Sequence, residues 1–182
     1  MWEEFREQRL SVLRDAIEKN KVDEGIIPLI EKINKNENLV TTSSCFGRIV
    51  LLGFDLIKRK QTAEFYRKWH RKVETEEVEL AVVSYTGKLP LWFKVEPFIL
   101  HVSARDFSAA EEFMKKMRSC GVKRGGIQGT SKGRITIEVQ GTIGMSLPVD
   151  GVEVGWEFLV DVANKLMNIN AAQIRKLERI KW

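Results

Sequence analysis

The side chains best suited to chemistry gather in one stretch, residues 39–54, which reads LVTTSSCFGRIVLLGF. Within it Ser43, Ser44, Cys45 and Arg48 bring together two hydroxyls, a thiol and a guanidinium. Hydroxyls donate and accept hydrogen bonds, and a guanidinium forks onto a carboxylate, so the set suits an anionic group. A Ser44 or Cys45 nucleophile with His70 as its base is also conceivable, although no orienting third group is identifiable from the sequence. On composition alone, a functional tip and an ordinary solvated turn both remain open. A second cluster lies at 58–72, KRKQTAEFYRKWHRK, with seven Lys/Arg and His70 interleaved with Phe65, Tyr66 and Trp69. Cations neutralise phosphates and aromatic faces stack unpaired bases, so this stretch reads as an RNA contact through Lys68, Trp69 and Arg71. Its alternative is an edge strand that uses lysine to block aggregation.

The elements that position these residues follow from pattern. Leu39 to Cys45 is mostly β-branched or small, and aliphatics follow Phe46-Gly47, which predicts a β-hairpin turning at that pair. Cys45 is then opposite Arg48, and Thr41, Ser43, Cys45 and Arg48 share one face. Upstream, the apolar spacing predicts helices over 3–19 and from Asp23, an N-cap candidate, with Pro28 in the first turn. Downstream, Thr75 looks like the cap of a helix ended by Gly87, although its Val78–Val83 run also suits a strand. Strands are expected at LWFKVEP and FILHVSA, a helix at 107–120 stopped by Gly121, and strands near 123–130, 133–140 and 143–149. A long helix closes the chain over 156–180. His101 alternates with Ile99 and Ser103, and strand position alone reads it as a satisfied structural histidine.

An internal repeat also shows. SSCFGRI and GTSKGRI align at an offset of 86 residues, which carries Gly47-Arg48-Ile49 onto Gly133-Arg134-Ile135. The repeat spans roughly 23–72 and 107–150, each copy a helix followed by antiparallel strands, within a single domain of residues 1–182. In that reading Arg48 and Arg134 flank one cleft. The second copy lacks the thiol, so function is expected to concentrate in the first.

The chain has 182 residues, a formal net charge of +5 and ordinary globular composition. No apolar run approaches a membrane span, and the charged start is unlike a signal peptide, so a cytoplasmic protein with no membrane partner is expected. Two histidines and the separated Cys45 and Cys120 match no usual metal spacing and read as free thiols, with no metal expected. No glycine-rich dinucleotide or phosphate loop is present. From the residues alone the chain reads as a basic α+β domain with a polar hairpin that binds RNA.

TTSSCFGRI, KVEPFILHV at 94–102, the Gly-x-x-x-Gly-Gly-Ile element at 121–127, GMSLPV at 144–149 and Asn164 with Asn170 together resemble the tRNA wybutosine-synthesizing protein 3 family. The resemblance runs from about residue 22 to 175. It departs from the family's pattern at Phe46, often serine there, and at Gly125-Gly126, often Ser-Gly. His70 looks like a family histidine by a looser match. The resemblance implies an α+β fold with a barrel-like antiparallel sheet flanked by helices, not a Rossmann methyltransferase. It implies S-adenosylmethionine-dependent methylation of a ring nitrogen in a wyosine-type guanosine beside the anticodon. The cofactor is then S-adenosyl-L-methionine and the partner a tRNA anticodon stem-loop. Ser43, Ser44, Cys45, Gly47, Arg48, His101 and Arg134 would bind substrate or cofactor, with His70 and Glu96 as proton-accepting candidates. A non-catalytic tRNA-binding subunit of the same pathway is the alternative.

Overall fold

The computed structural model describes residues 1–57, 63–150 and 155–182. The first five residues of the basic stretch, 58–62, therefore lie outside the described residues. The chain divides into two compact units, one of Met1–Phe46, Phe98–Thr142 and Ala171–Trp182, the other of Gly47–Pro97 and Ile143–Asn170.

The first unit begins with α1 (Trp2–Glu18), a 3-10 turn (Glu24–Ile26) and α2 (Ile27–Asn34), followed by strand β1 (Leu39–Cys45). The second unit takes up the chain with β2 (Arg48–Gly53), β3 (Glu64–Trp69), α3 (Thr75–Val83) and β4 (Leu91–Glu96). The chain then returns to the first unit with β5 (Ile99–Ala104), α4 (Phe107–Ser119), β6 (Arg124–Ser131) and β7 (Arg134–Gln140). Strand β8 (Met145–Pro148) and helix α5 (Trp156–Glu178) complete it. The first unit holds a sheet of order β1-β5-β7-β6 and the second a sheet of order β3-β2-β4-β8. Every strand pairing among the described residues is antiparallel. The fold is α+β, and two separate open sheets replace the single barrel-like sheet expected.

The hairpin expected at 39–54 does not form. β1 pairs with β5, and β2 pairs with β3 and β4, so Cys45 faces Ile99 and Arg48 faces Glu96. A two-residue I′ turn needs positive φ at both central positions. Gly47 has φ +102, but Phe46 is not among the residues with positive φ. The Phe46 amide instead donates to the Asp23 carboxylate at 2.8 Å. Its ring fills space beside Gly25, where a Cβ would come within 2.5 Å of it. The other expected hairpin does form: Lys132 and Gly133 both take positive φ, and Ser131 pairs with Arg134. A bulge between Thr41 and Ser43 also breaks the alternation of β1. Thr41 is consequently buried and held by Asn34, while Ser43 is exposed, so the two do not share a face.

Apolar spacing explains both cores. In the first unit Leu100, Val102, Ala104, Ile135, Ile137 and Val139 meet Ile26, Ile30 and Ile33 and the α4 residues Ala110, Phe113 and Met117. Full burial of a side chain such as Phe98 or Phe113 contributes about 1.5–3 kcal/mol. Helix α4 starts where Asp106 accepts the Ala109 amide. It stops as expected at Gly121, φ +85, with Val122 N–H bonded to Met117 O and Gly121 N–H to Arg118 O. That is a Schellman ending, which needs the left-handed conformation glycine tolerates. In the second unit Ile49, Leu51, Trp69, Phe93 and Val95 are buried with Val78, Ala81, Val160, Ala163 and Met167. Asn164 clamps Val73 through both its amide groups. Glu74, not Thr75, sits at the N-cap of α3, with no side-chain cap bond, and the helix ends at Ser84, ahead of Gly87.

Candidate functional site

In the first unit, strand alternation gives the sheet a face opposite its apolar core. Ser43, His101, Glu138 and Gly126 lie across it as successive cross-strand partners. Glu138 Oε2 hydrogen-bonds His101 Nε2 at 2.9 Å, and its Oε1 accepts from Gln140 Nε2 at 2.9 Å. His101 Nδ1 is buried without a partner, so the histidine is only half satisfied, contrary to its reading from strand position. Beside Glu138 the strand carries glycine: a Cβ at Gly126 would meet nothing within 4 Å, leaving room on this face. Ser43 is exposed, whereas Ser44 and Cys45 are half-buried, and Cys45 and Cys120 are free thiols. Thr42 Oγ1 donates to His101 O, fixing the bulge against the neighbouring strand. Arg134 lies 4.0 Å from the Phe5 ring centroid, a cation–π contact that engages the guanidinium with α1.

In the second unit, Arg48 Nε donates to Glu96 Oε2 at 2.7 Å. Lys94 Nζ reaches the other Glu96 oxygen at 3.3 Å. Burial alone would raise the Glu96 carboxyl, but the Arg48 hydrogen bond and charge, joined by Lys94, hold it below the usual carboxylate range. A carboxylate stabilised in this way is a poor proton acceptor, which corrects the expectation that Glu96 is a base. It instead orients Arg48.

The aromatic choice within the basic stretch is corrected as well. Trp69 is only 8% exposed, so its ring packs in the core and offers no face to a base. Phe65 is 44% exposed, with the Arg48 guanidinium 4.6 Å and the Lys68 ammonium 4.9 Å from its centroid. A register shift between Leu51 and Leu52 opposes Leu51 to Arg67 but Leu52 to Phe65. That extra residue breaks the period-2 relation between Phe65 and Trp69, and nothing in the sequence marks it. Arg71 makes a two-pronged pair with Glu77 at 2.7 and 3.0 Å. The Glu77 hydrogen bond raises the Arg71 pKa, and the Arg71 hydrogen bond lowers that of Glu77. His70 follows β3 directly and is exposed.

Two residues take roles that the sequence does not assign them: Glu138 and Asp23. Glu138 was legible from alternation in RITIEVQ, where it shares a face with Thr136 and Gln140. Asp23 was read as a helix cap, but makes no side-chain cap bond and instead holds the Phe46 amide.

Two open antiparallel sheets with a polar strand–glycine–strand signature define a class apart from the parallel-sheet nucleotide folds. The chain belongs to the family described as Methyltransferase TYW3, whose model matches residues 3–180. It is 37% identical over 179 residues to the tRNA(Phe) 7-((3-amino-3-carboxypropyl)-4-demethylwyosine(37)-N(4))-methyltransferase of Thermococcus sibiricus, covering 95% of this chain and 90% of that one. It is 30% identical over 186 residues to the tRNA wybutosine-synthesizing protein 3 homolog of Homo sapiens, covering 95% and 70%. The structure of the PH1069 protein from Pyrococcus horikoshii superposes with a TM-score of 0.87 at 34% identity, covering 97% of this chain and 93% of that one. No described helix is long and apolar enough to cross a membrane.

Proposed function

We propose that the protein methylates N4 of a 7-(3-amino-3-carboxypropyl)-4-demethylwyosine at position 37 of tRNA(Phe), the reaction its Thermococcus relative is named for. The observation that carries this reading is the family match across residues 3–180. The methyl donor is S-adenosylmethionine, which when bound supplies a methyl group on a positively charged sulfur. The donor set of the first sheet's open face fits such a nucleoside. Ser43 offers a hydroxyl, Glu138 accepts hydrogen bonds, His101 presents an unpartnered buried nitrogen, and Gly126 leaves space beside them. These residues, with Ser44 and Cys45 of the same unit, would hold the donor.

What the protein must add is alignment and a place for one proton. The ring nitrogen of the base loses a proton on methylation. The imidazole of His70 is the acceptor, since imidazole is the side chain most used for proton transfer. No covalent enzyme intermediate is needed, so Cys45 packs and binds. Arg48, oriented by Glu96, contributes a charge-assisted contact to a substrate carboxylate.

The tRNA anticodon stem-loop meets the second unit through Lys68 and Arg71, which neutralise phosphates, and Phe65, on which a base stacks. Replacing Lys68 and Arg71 with Ala weakens tRNA binding and flattens its salt dependence. Phe65→Ala weakens binding by about 1–3 kcal/mol with the salt slope unchanged. Methyl transfer from labelled S-adenosylmethionine to precursor tRNA tests the whole reading. Binding of tRNA with neither donor binding nor transfer would leave only a tRNA-presenting subunit.

A further inference from the structure

Between α1 and β1 the first unit contains a pocket of about 220 Å³, and of its lining only Ser43 and Ser44 have a role above. Its lining includes Arg9 and Lys21, Ser43 and Ser44, and Leu13 and Val22. Drug-sized ligands fill pockets of about 300 Å³ and upward, so this one accommodates a fragment of a larger molecule. The lining combines two cations, two hydroxyls and an aliphatic wall. Neither Arg9 nor Lys21 has an ion-paired carboxylate among the described residues, and the Arg9 guanidinium lies 5.3 Å from the Phe5 ring centroid. Two cations without counter-ions beside one pocket leave room for an incoming carboxylate.

The strand that forms the pocket's floor adds a second kind of donor and acceptor. β1 is an edge strand of its sheet: on its outer side the Leu39 amide and carbonyl and the Thr41 amide are taken by Asn36, Arg6 and Asn34, and the groups beyond Thr41 have no strand partner. Edge carbonyls accept from an ammonium, and edge amides donate to a carboxylate. A bare phosphate would use the cations but neither the carbonyls nor the aliphatic wall of Leu13 and Val22. An α-amino acid on a short methylene chain uses all three.

We infer that this pocket binds a 3-amino-3-carboxypropyl group, with Arg9 and Lys21 on its carboxylate and Leu13 and Val22 along its methylenes. The inference rests on the proposed methyl transfer. Two molecules in that reaction carry the same group: the sulfonium donor and the tricyclic base named for the Thermococcus relative. The pocket adjoins Ser43 and Ser44, so either source places its reactive end near the signature strand.

The test is direct binding to the full protein and to an Arg9→Gln, Lys21→Gln double variant. Both substituted residues are exposed, so folding is preserved. In the donor arm, calorimetry compares S-adenosylmethionine with 5′-methylthioadenosine, which lacks the amino-acid chain. In the tRNA arm, filter binding compares tRNA carrying the aminocarboxypropyl base with tRNA carrying the same tricycle without that chain. The double variant is expected to lose about tenfold or more in affinity for the chain-bearing ligand of one arm, as charge-assisted hydrogen bonds predict. The chain-less ligand of that arm is expected to bind unchanged. Loss in the donor arm assigns the pocket to the methyl donor, and loss in the tRNA arm assigns it to the base. Equal responses within both arms, from a protein that still transfers methyl, would overturn this pocket while leaving the proposed function standing. Absence of transfer by the unaltered protein would overturn that function, and this inference with it.

Discussion

The two strand–glycine–strand segments, Leu39–Gly53 and Arg124–Gln140, share Gly-Arg-Ile at an offset of 86 residues yet are built differently. The second is a tight I′ hairpin in which Lys132 and Gly133 both take positive φ. The first has the same glycine conformation but sends its strands to different sheets. Two features account for the difference: an aromatic residue where the hairpin carries lysine, and a carboxylate from 23 residues upstream that takes the turn amide. The same offset carries Asp23 to Ala109, which has no carboxylate to offer. A shared sequence pattern therefore specifies the glycine and the strands on either side, while distant partners decide whether they pair. The arginines diverge likewise, Arg48 to Glu96 and Phe65, Arg134 to Phe5.

The largest stability effect that separates the segments is expected at Asp23. Asp23→Ala removes a hydrogen bond to a charged acceptor, a loss of about 1.5–3 kcal/mol. Asp23→Asn keeps an acceptor oxygen and recovers part of that. Urea unfolding measures both, and an unchanged midpoint for the alanine variant would mean that the carboxylate does not hold the turn.

Next come the glycines. Gly47 is buried at φ +102, a conformation costly for any side chain, so Gly47→Ala should destabilise by about 1–3 kcal/mol. Gly133→Asn should cost at most about 1 kcal/mol, because asparagine visits the left-handed region in exposed turns. Comparable losses at both positions would erase the contrast.

A smaller effect sharpens the arginine comparison through pH. Arg48 and Lys94 depress the Glu96 pKa, so the pairing stabilises the folded state fully above the ordinary glutamate value of about 4.3. That contribution is lost as pH falls from there through the lower folded value. Glu96→Gln should remove this part of the acid dependence in urea titrations, whereas Phe5→Leu at the other arginine should leave it in place. Acid profiles that coincide for the native protein and Glu96→Gln would contradict the pairing.

Much of this was legible in the chain. The helices at 107–120 and 156–180, the strands around Pro97 and the 123–140 hairpin follow from period and glycine placement, which are local signals. Strand partners are not local. Phe46-Gly47 carries a hairpin's glycine, and it is Asp23, 23 residues away, that takes the turn amide. The same limit explains Trp69: one bulge residue in β3 exchanged the buried aromatic for the exposed one. The signature residues of the site were readable from their types, but Glu96 became a partner of Arg48 only through the pairing of β2 with β4.

The central claim is that catalysis belongs to the first segment and proceeds without a cysteine nucleophile. Single-turnover transfer of labelled methyl to precursor tRNA by Arg48→Ala, Cys45→Ser and Arg134→Ala tests it most directly. Arg48→Ala is expected to slow transfer about ten- to a hundredfold, the worth of one charge-assisted contact in a desolvated site. Cys45→Ser should retain substantial activity, and Arg134→Ala should stay close to the unaltered protein. Abolished transfer in Cys45→Ser, with Arg48→Ala nearly normal, would contradict the account.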